Sequence, residues 1–378
     1  MTLHLSWYDD CVAVAIINLL LAALLVSMLK KARNRKANVM LAVLMLCLAI
    51  SFLGDILGVN DFFKSYPHWM EYDPFLTLLL GPLLYSYILY QTRPGFRLRL
   101  RHLLHLLPLL IYFLLLWEFY TSGSSIKLAY LKQGNRSNIP HYDLASYFKE
   151  AQLFLYGVVC YRLLLQHGRV IQEVASAVEN RQLHWLRNLL LMATILFVAW
   201  LIVNETNHTT YILGLTLLGF SYWVSYHAIA QEYVFGQAEA AAVQLIVLEN
   251  EQEKEVRYRN STLTPEDMQV LMARIATHMD EAKSYLNNEL SLTALAEQLE
   301  LNPNHLSQVL NEGFGESFYK FVNRYRVEES KRLLRDPACA HYNMLGIAYQ
   351  AGFNAKSTFY KAFKDIVGCS PSEFAKNS

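Results

Sequence analysis

The chain has 378 residues, of which 54% are apolar and only 17% charged, with a formal net charge of +1. Soluble domains carry about 25% charged residues, so this composition excludes a chain that is water-soluble throughout. The charge is also unevenly spread: residues 11–29 contain no Asp, Glu, Lys or Arg, whereas 231–378 are rich in all four. Cys11, Cys47, Cys160, Cys339 and Cys369 lie singly, without zinc-type spacing, and read as reduced thiols. Asp9 and Asp10 precede the first apolar run and the basic residues follow it, the reverse of a cleavable signal peptide, so the run is expected to remain as an anchor.

Crossing about 30 Å of hydrocarbon takes about 20 helical residues. Seven stretches are predicted to do so: 11–29, 39–59, 74–90, 103–120, 144–165, 189–203 and 211–230. The weakest is 144–165, which Lys149, Glu150 and Arg162 bracket. Thirteen Lys and Arg fall on the side of the first, third and fifth connections and five on the other. Because basic loops stay inside, the N-terminus is expected outside and the C-terminus in the cytoplasm, in a multi-pass protein of the inner membrane. Ionisable groups within spans are costly and are functional candidates. They are Asp55, Glu118, Glu150, Arg162 and His227, although Asp55, Glu118 and Arg162 lie near span ends, where a side chain reaches the interface. His102 and His105 stand one turn apart beside Arg99 and Arg101, which reads as a headgroup-facing cluster rather than a metal site. Gly81-Pro82 marks either a kink or a close packing point in the third span. The last span has no lysine for a retinal Schiff base, and the halves show no transporter-like repeat.

From residue 231 to 263 the composition turns Ala- and Glu-rich, which favours helix. Leu245 and Leu248 open an a/d seam that Gln252 and Glu255 close, so a long dimeric coiled coil is not expected. Thr264-Pro265-Glu266-Asp267 then starts a helix with a hydroxyl cap, a proline at the first position and two acids at the positive end of the dipole. Residues 292–299 and 302–310 read as two short helices around Glu300, Leu301 and Asn302, with Ala296, Leu299, Leu306 and Leu310 closing a small core. That is the pattern of a helix-turn-helix. It repeats at 344–351, a turn of Gly352, Phe353 and Asn354, and 355–367, where Phe359 and Phe363 face inward. Between the units, 317–335 forms one amphipathic helix stopped by Asp336-Pro337.

The second unit supplies Ile347, Ala348, Gly352, Phe353, Phe359, Lys361, Phe363, Lys364, Gly368, Pro371 and Phe374. These residues resemble the signature of the AraC/XylS family, and the likeness covers about 115 residues. Two departures are Cys369, where the family usually has Thr, and Asn311-Glu312, where many members have two basic residues. The resemblance implies a DNA-binding domain at 264–378 with units at about 292–311 and 344–367. The whole layout is similar to the multispanning membrane-bound subgroup of these bacterial regulators.

With the leucines and phenylalanines buried, the first reader helix offers Asn304, Ser307 and Gln308 to DNA, and the second offers Lys356, Ser357, Tyr360, Lys361 and Lys364. Lys320, Arg324 and Lys331 on the connecting helix are phosphate-contact candidates. Residues 264–378 hold twelve Lys and Arg against fourteen Asp and Glu, so a shallow salt dependence is expected. The fold class is all-α: a seven-helix transmembrane bundle at 1–230, a helical linker at 231–263 and a cytoplasmic double helix-turn-helix. Double-stranded promoter DNA, RNA polymerase, the lipid bilayer, a weak homodimer and an unknown small-molecule or membrane signal are the expected partners. No Walker loop, nucleophile elbow or HExxH is present, and neither catalysis, cofactor nor metal is expected. The rivals are a transporter or enzyme with an accessory DNA-binding domain, and a domain that binds only other proteins.

Overall fold

Apolar runs become long helices in the computed structural model, which describes residues 7–28, 34–59, 61–93, 95–133, 138–176, 183–203, 210–230, 263–339 and 341–377. The helical linker expected at 231–263 lies outside the described residues except for Leu263. No strand forms among the described residues, and a single antiparallel bridge pairs Ala175 with Ser291. The chain divides into two compact units, Met1–Leu164 with His184–Glu232 and Leu165–Leu183 with Tyr233–Ser378.

The first unit contains α1 (Trp7–Met28), α2 (Arg35–Val59), α3 (Asp73–Thr92), most of α4 (Tyr142–Val174), α5 (His184–Val203) and α6 (Thr210–Ala230). Helix α1 packs on α2 and α6, and α2 packs on α3. The apolar contacts are pinned by a few polar bonds. Asn18 donates to Ser221 and Ser225 at 3.2 and 3.1 Å, joining α1 to α6, and Gln152 donates to the Leu78 carbonyl at 3.0 Å, joining α4 to α3. Helix α3 runs through Pro82, and a Cβ on Gly81 would lie 2.7 Å from Tyr156 Cγ. Gly81 therefore serves as a close packing point.

Three helical stretches among the described residues are long and apolar enough to cross a bilayer: Trp7–Met28, Arg35–Gly58 and Pro67–Thr92, with mean hydropathy 2.7, 2.5 and 1.2. The stretch 103–120 is broken rather than continuous. A 3₁₀ helix, Leu100–Leu106, is followed by helices Leu107–Leu115 and Trp117–Thr121. Pro108 suits the first turn of a new helix, where its missing N–H costs nothing, and Leu116 leaves helical geometry at φ −105°.

The second unit is built from caps outward. It contains α7 (Pro265–Ala282), α8 (Leu292–Gln298), α9 (Pro303–Gln308), α10 (Phe318–Arg335), α11 (Met344–Gln350), α12 (Lys356–Val367) and α13 (Pro371–Asn377). Side chains of Thr264, Ser291, Asn302, Ser317 and Asn343 each accept from a backbone N–H in the first turn that follows. These bonds satisfy donors that a helix start otherwise leaves unpaired. Helix α10 belongs to two cores. Its Phe318, Phe321 and Val322 close the first with Leu295, Leu306 and Leu310, and its Val327 and Leu333 close the second with Ile347, Phe359 and Phe363. At 1.5 Å per residue this shared rod is about 27 Å long.

Candidate nucleic-acid interface

The two turns have the same backbone design. Glu300 and Gly352 are left-handed, with φ of 52° and 89°, and the next residue donates back into the preceding helix: Leu301 to Ala296 and Phe353 to Ala348, both at 2.9 Å. The reasons for the two residue types differ. Glu300 is exposed and has room for its side chain, whereas a Cβ on Gly352 would run into the Tyr285 carbonyl and come within 2.8 Å of Leu286 Cα. Only glycine lets the second turn sit this close to the loop before α8.

Leu306 and Leu310, and Phe359 and Phe363, are fully buried. That burial fixes which faces of α9 and α12 remain outside. Lys356, Ser357, Lys361 and Lys364 are exposed on α12, while Tyr360, Asn304, Ser307 and Gln308 are half-buried. The Lys356 ammonium lies 5.4 Å from the Tyr360 ring centre, and the Tyr360 hydroxyl is 3.4 Å from Ser372 Oγ. After α9 the chain widens into one π-helical turn, Val309–Gly313, which places Glu312 where it accepts from Gln308 Nε2 at 2.9 Å.

Two of the three phosphate candidates are held in the same way. Arg324 pairs with Glu316 at 3.1 Å and Lys331 with Glu328 at 2.7 Å, while Lys320 is exposed. On a 3.6-residue turn Lys320, Arg324, Lys331 and Arg335 share one side of α10. A further pair, Arg332 with Glu329 at 2.7 Å, holds the Glu329 carboxyl below the usual carboxylate range through its hydrogen bonds.

One site residue escapes sequence reasoning. Arg326 is 1% exposed, donates from Nε to the Tyr285 carbonyl at 2.8 Å and from Nη2 to the Asn287 carbonyl at 2.7 Å, and stands 5.8 Å from the Phe353 ring centre. It thus ties the loop before α8 to the turn of the second unit. The available signal is its register: Arg326 follows Phe318 and Val322 at four-residue spacing, on the buried stripe of α10.

The intramembrane candidates are distributed over several elements. Asp55 lies in α2, its side chain outside the described residues. Glu118 is exposed in Trp117–Thr121, and Arg162 is exposed on α4. Glu150 accepts from Ser146 at 3.4 Å. His227 stacks on Trp185 at 5.8 Å with planes 7° apart, and touches Trp223 at 4.4 Å. The His102 and His105 rings stack at 6.3 Å, and His105 Nδ1 meets the Tyr156 hydroxyl at 2.5 Å. Among the described residues no group of three or more His, Cys, Asp and Glu is placed to hold a metal ion.

Residues 295–377 match the family profile described as Helix-turn-helix domain, and this segment is an AraC-type helix-turn-helix domain. An HTH-type transcriptional regulator of Mycobacterium tuberculosis is 30% identical over 82 residues, covering 22% of this chain and 30% of that protein. An uncharacterized HTH-type transcriptional regulator of Staphylococcus aureus strain COL is 28% identical over 95 residues, 25% of this chain and 12% of that protein. The chain thus spans less than a third of the length of either relative. No solved structure matches the chain.

Proposed function

We propose that the protein is a membrane-embedded one-component transcription regulator that binds promoter DNA through α9 and α12. The observation that carries this reading is the shared rod: two helix-turn-helix units are built on one helix, α10, with polar faces of both reader helices left open. Readers held at fixed spacing suit successive major grooves on one face of a duplex, about 34 Å apart. The names of the relatives, regulators of the helix-turn-helix type, support the same reading.

Membrane embedding is supported by α1. Ile17, Leu21, Leu24 and Leu25 are each more than half exposed, while Val12, Ala15, Leu19 and Val26 are fully buried. A helix that is apolar on its outward face as well as its inward one is matched to lipid. In this reading residues 1–230 cross the inner membrane seven times with the N-terminus outside. Residues 231–263 link them to the cytoplasmic domain at 264–378, which also meets RNA polymerase. The membrane half senses a signal and brings two copies together at high local concentration.

The test is selection of duplexes from a random-sequence pool by the full chain in lipid nanodiscs. Enrichment of one sequence with two contact blocks about one helical turn apart is the expected result. Failure to enrich any sequence would leave a domain that binds proteins alone.

A further inference from the structure

Helix α4 is continuous from Tyr142 to Val174, and its last turns are grouped with the helix-turn-helix domain rather than with the first unit. Ile171, Val174, Ala175 and Ser176 are all buried there. Ala175 bridges Ser291 in antiparallel fashion, and the Ser176 N–H donates to the Leu290 carbonyl at 3.3 Å. The Ser176 hydroxyl does two things at once. It donates to the Leu290 carbonyl at 2.6 Å and accepts from Arg326 Nη2 at 3.1 Å. A hydroxyl has both a donor and acceptor lone pairs, so a single side chain fills both roles.

Arg326 is also the residue that ties Tyr285 and Asn287 to Phe353, so Ser176 sits on the seam between the two helix-turn-helix units. Lys320, Arg324, Lys331 and Arg335 lie roughly opposite Arg326 around α10. A segment seated at Arg326 therefore leaves the basic side of the rod open to DNA.

We propose that Ala175 and Ser176, at the end of α4, are a docking partner that the chain supplies to its own DNA-binding domain, keying the Arg326 seam in the spacing that two-groove binding needs. Ser176 acts as a positioning residue. The inference rests on the DNA-binding function proposed above, and the experiment separates the two.

The full chain is made with Ala175→Cys and Ser291→Cys, with Cys339→Ser and Cys369→Ser to remove the half-exposed native thiols. Bridged antiparallel residues have Cα atoms about 4.5 to 5.5 Å apart, within reach of a disulfide. In native membranes under mild oxidant the pair is expected to close. Two thiols that stay open, yet react with maleimide after unfolding, overturn the docking. In the second arm, Ser176→Ala is compared with the parent on the selected duplex and on one with a scrambled contact block. A loss of threefold or more on the intact duplex, none on the scrambled one, and recovery with Ser176→Thr are expected. Unchanged or tighter binding, or equal loss on both duplexes, overturns the positioning role. A parent chain that enriches no DNA overturns the function, while the disulfide still decides the docking.

Discussion

Gly352 and Glu300 occupy the same place in two copies of one turn, and their substitution should have opposite effects. Gly352→Ala adds a methyl group where the Tyr285 carbonyl stands and imposes a left-handed penalty of about 1 to 2 kcal/mol, with about 1 to 3 kcal/mol of overpacking beside it. Glu300→Gly relieves the same penalty without removing a packed side chain, and should raise the unfolding midpoint. Thermal unfolding of the two variants checks both signs. Among the readers, Lys361→Ala and Gln308→Ala should each cost about 1 to 3 kcal/mol on the selected duplex and relax specificity locally. Lys331→Ala should weaken selected and random DNA alike. Glu312→Ala is expected to act in the opposite direction, because Glu312 occupies the Gln308 amide and carries negative charge beside the first reader helix. Tighter binding with a steeper salt dependence, measured by fluorescence anisotropy, is the expected outcome.

The helices of the second unit were legible because their signals are local. Thr264, Ser317 and Asn302-Pro303 announce helix starts within three residues, and the buried faces repeat at three- and four-residue spacing. The burial of Leu306, Leu310, Phe359 and Phe363 follows from the same periodicity. What could not be read is what depends on distant partners. Arg326 looks like one more cation of a basic helix until Tyr285, Asn287 and Ser176 are brought to it. The break at Leu116 has no glycine or proline at the site to announce it. Helix α10 also carries a pH prediction. The folded pKa of Glu329 is depressed, so its stabilisation is fully present above the ordinary carboxylate value of about 4.3 and is lost as pH falls through the folded value. Arg332 is 56% exposed, so the pair is worth at most about 1 kcal/mol. Unfolding midpoints of the parent and Glu329→Gln should therefore converge as the solution is made more acid than about pH 4.

At the scale of the whole molecule, the proposed seven crossings place residues before the first span and after the last on opposite sides of the membrane. Reporter fusions after Asn138 and Asn207 should be active in the periplasm, and those after Arg35, Arg97, Ser176 and Ser378 in the cytoplasm. A periplasmic signal at Ser378 would sink the topology and the regulator with it. The two reader helices add a different kind of constraint. Helix α9 has six residues and runs into a π-helical turn, whereas α12 has twelve and ends at Gly368. A domain whose two readers differ has a head and a tail, so under the proposed function each copy reads a sequence without two-fold symmetry. Inverting that sequence in front of a promoter keeps the protein bound but turns its other flank toward the transcription machinery. Occupancy and output should then part company: a reversed site stays protected in footprinting while the promoter no longer responds.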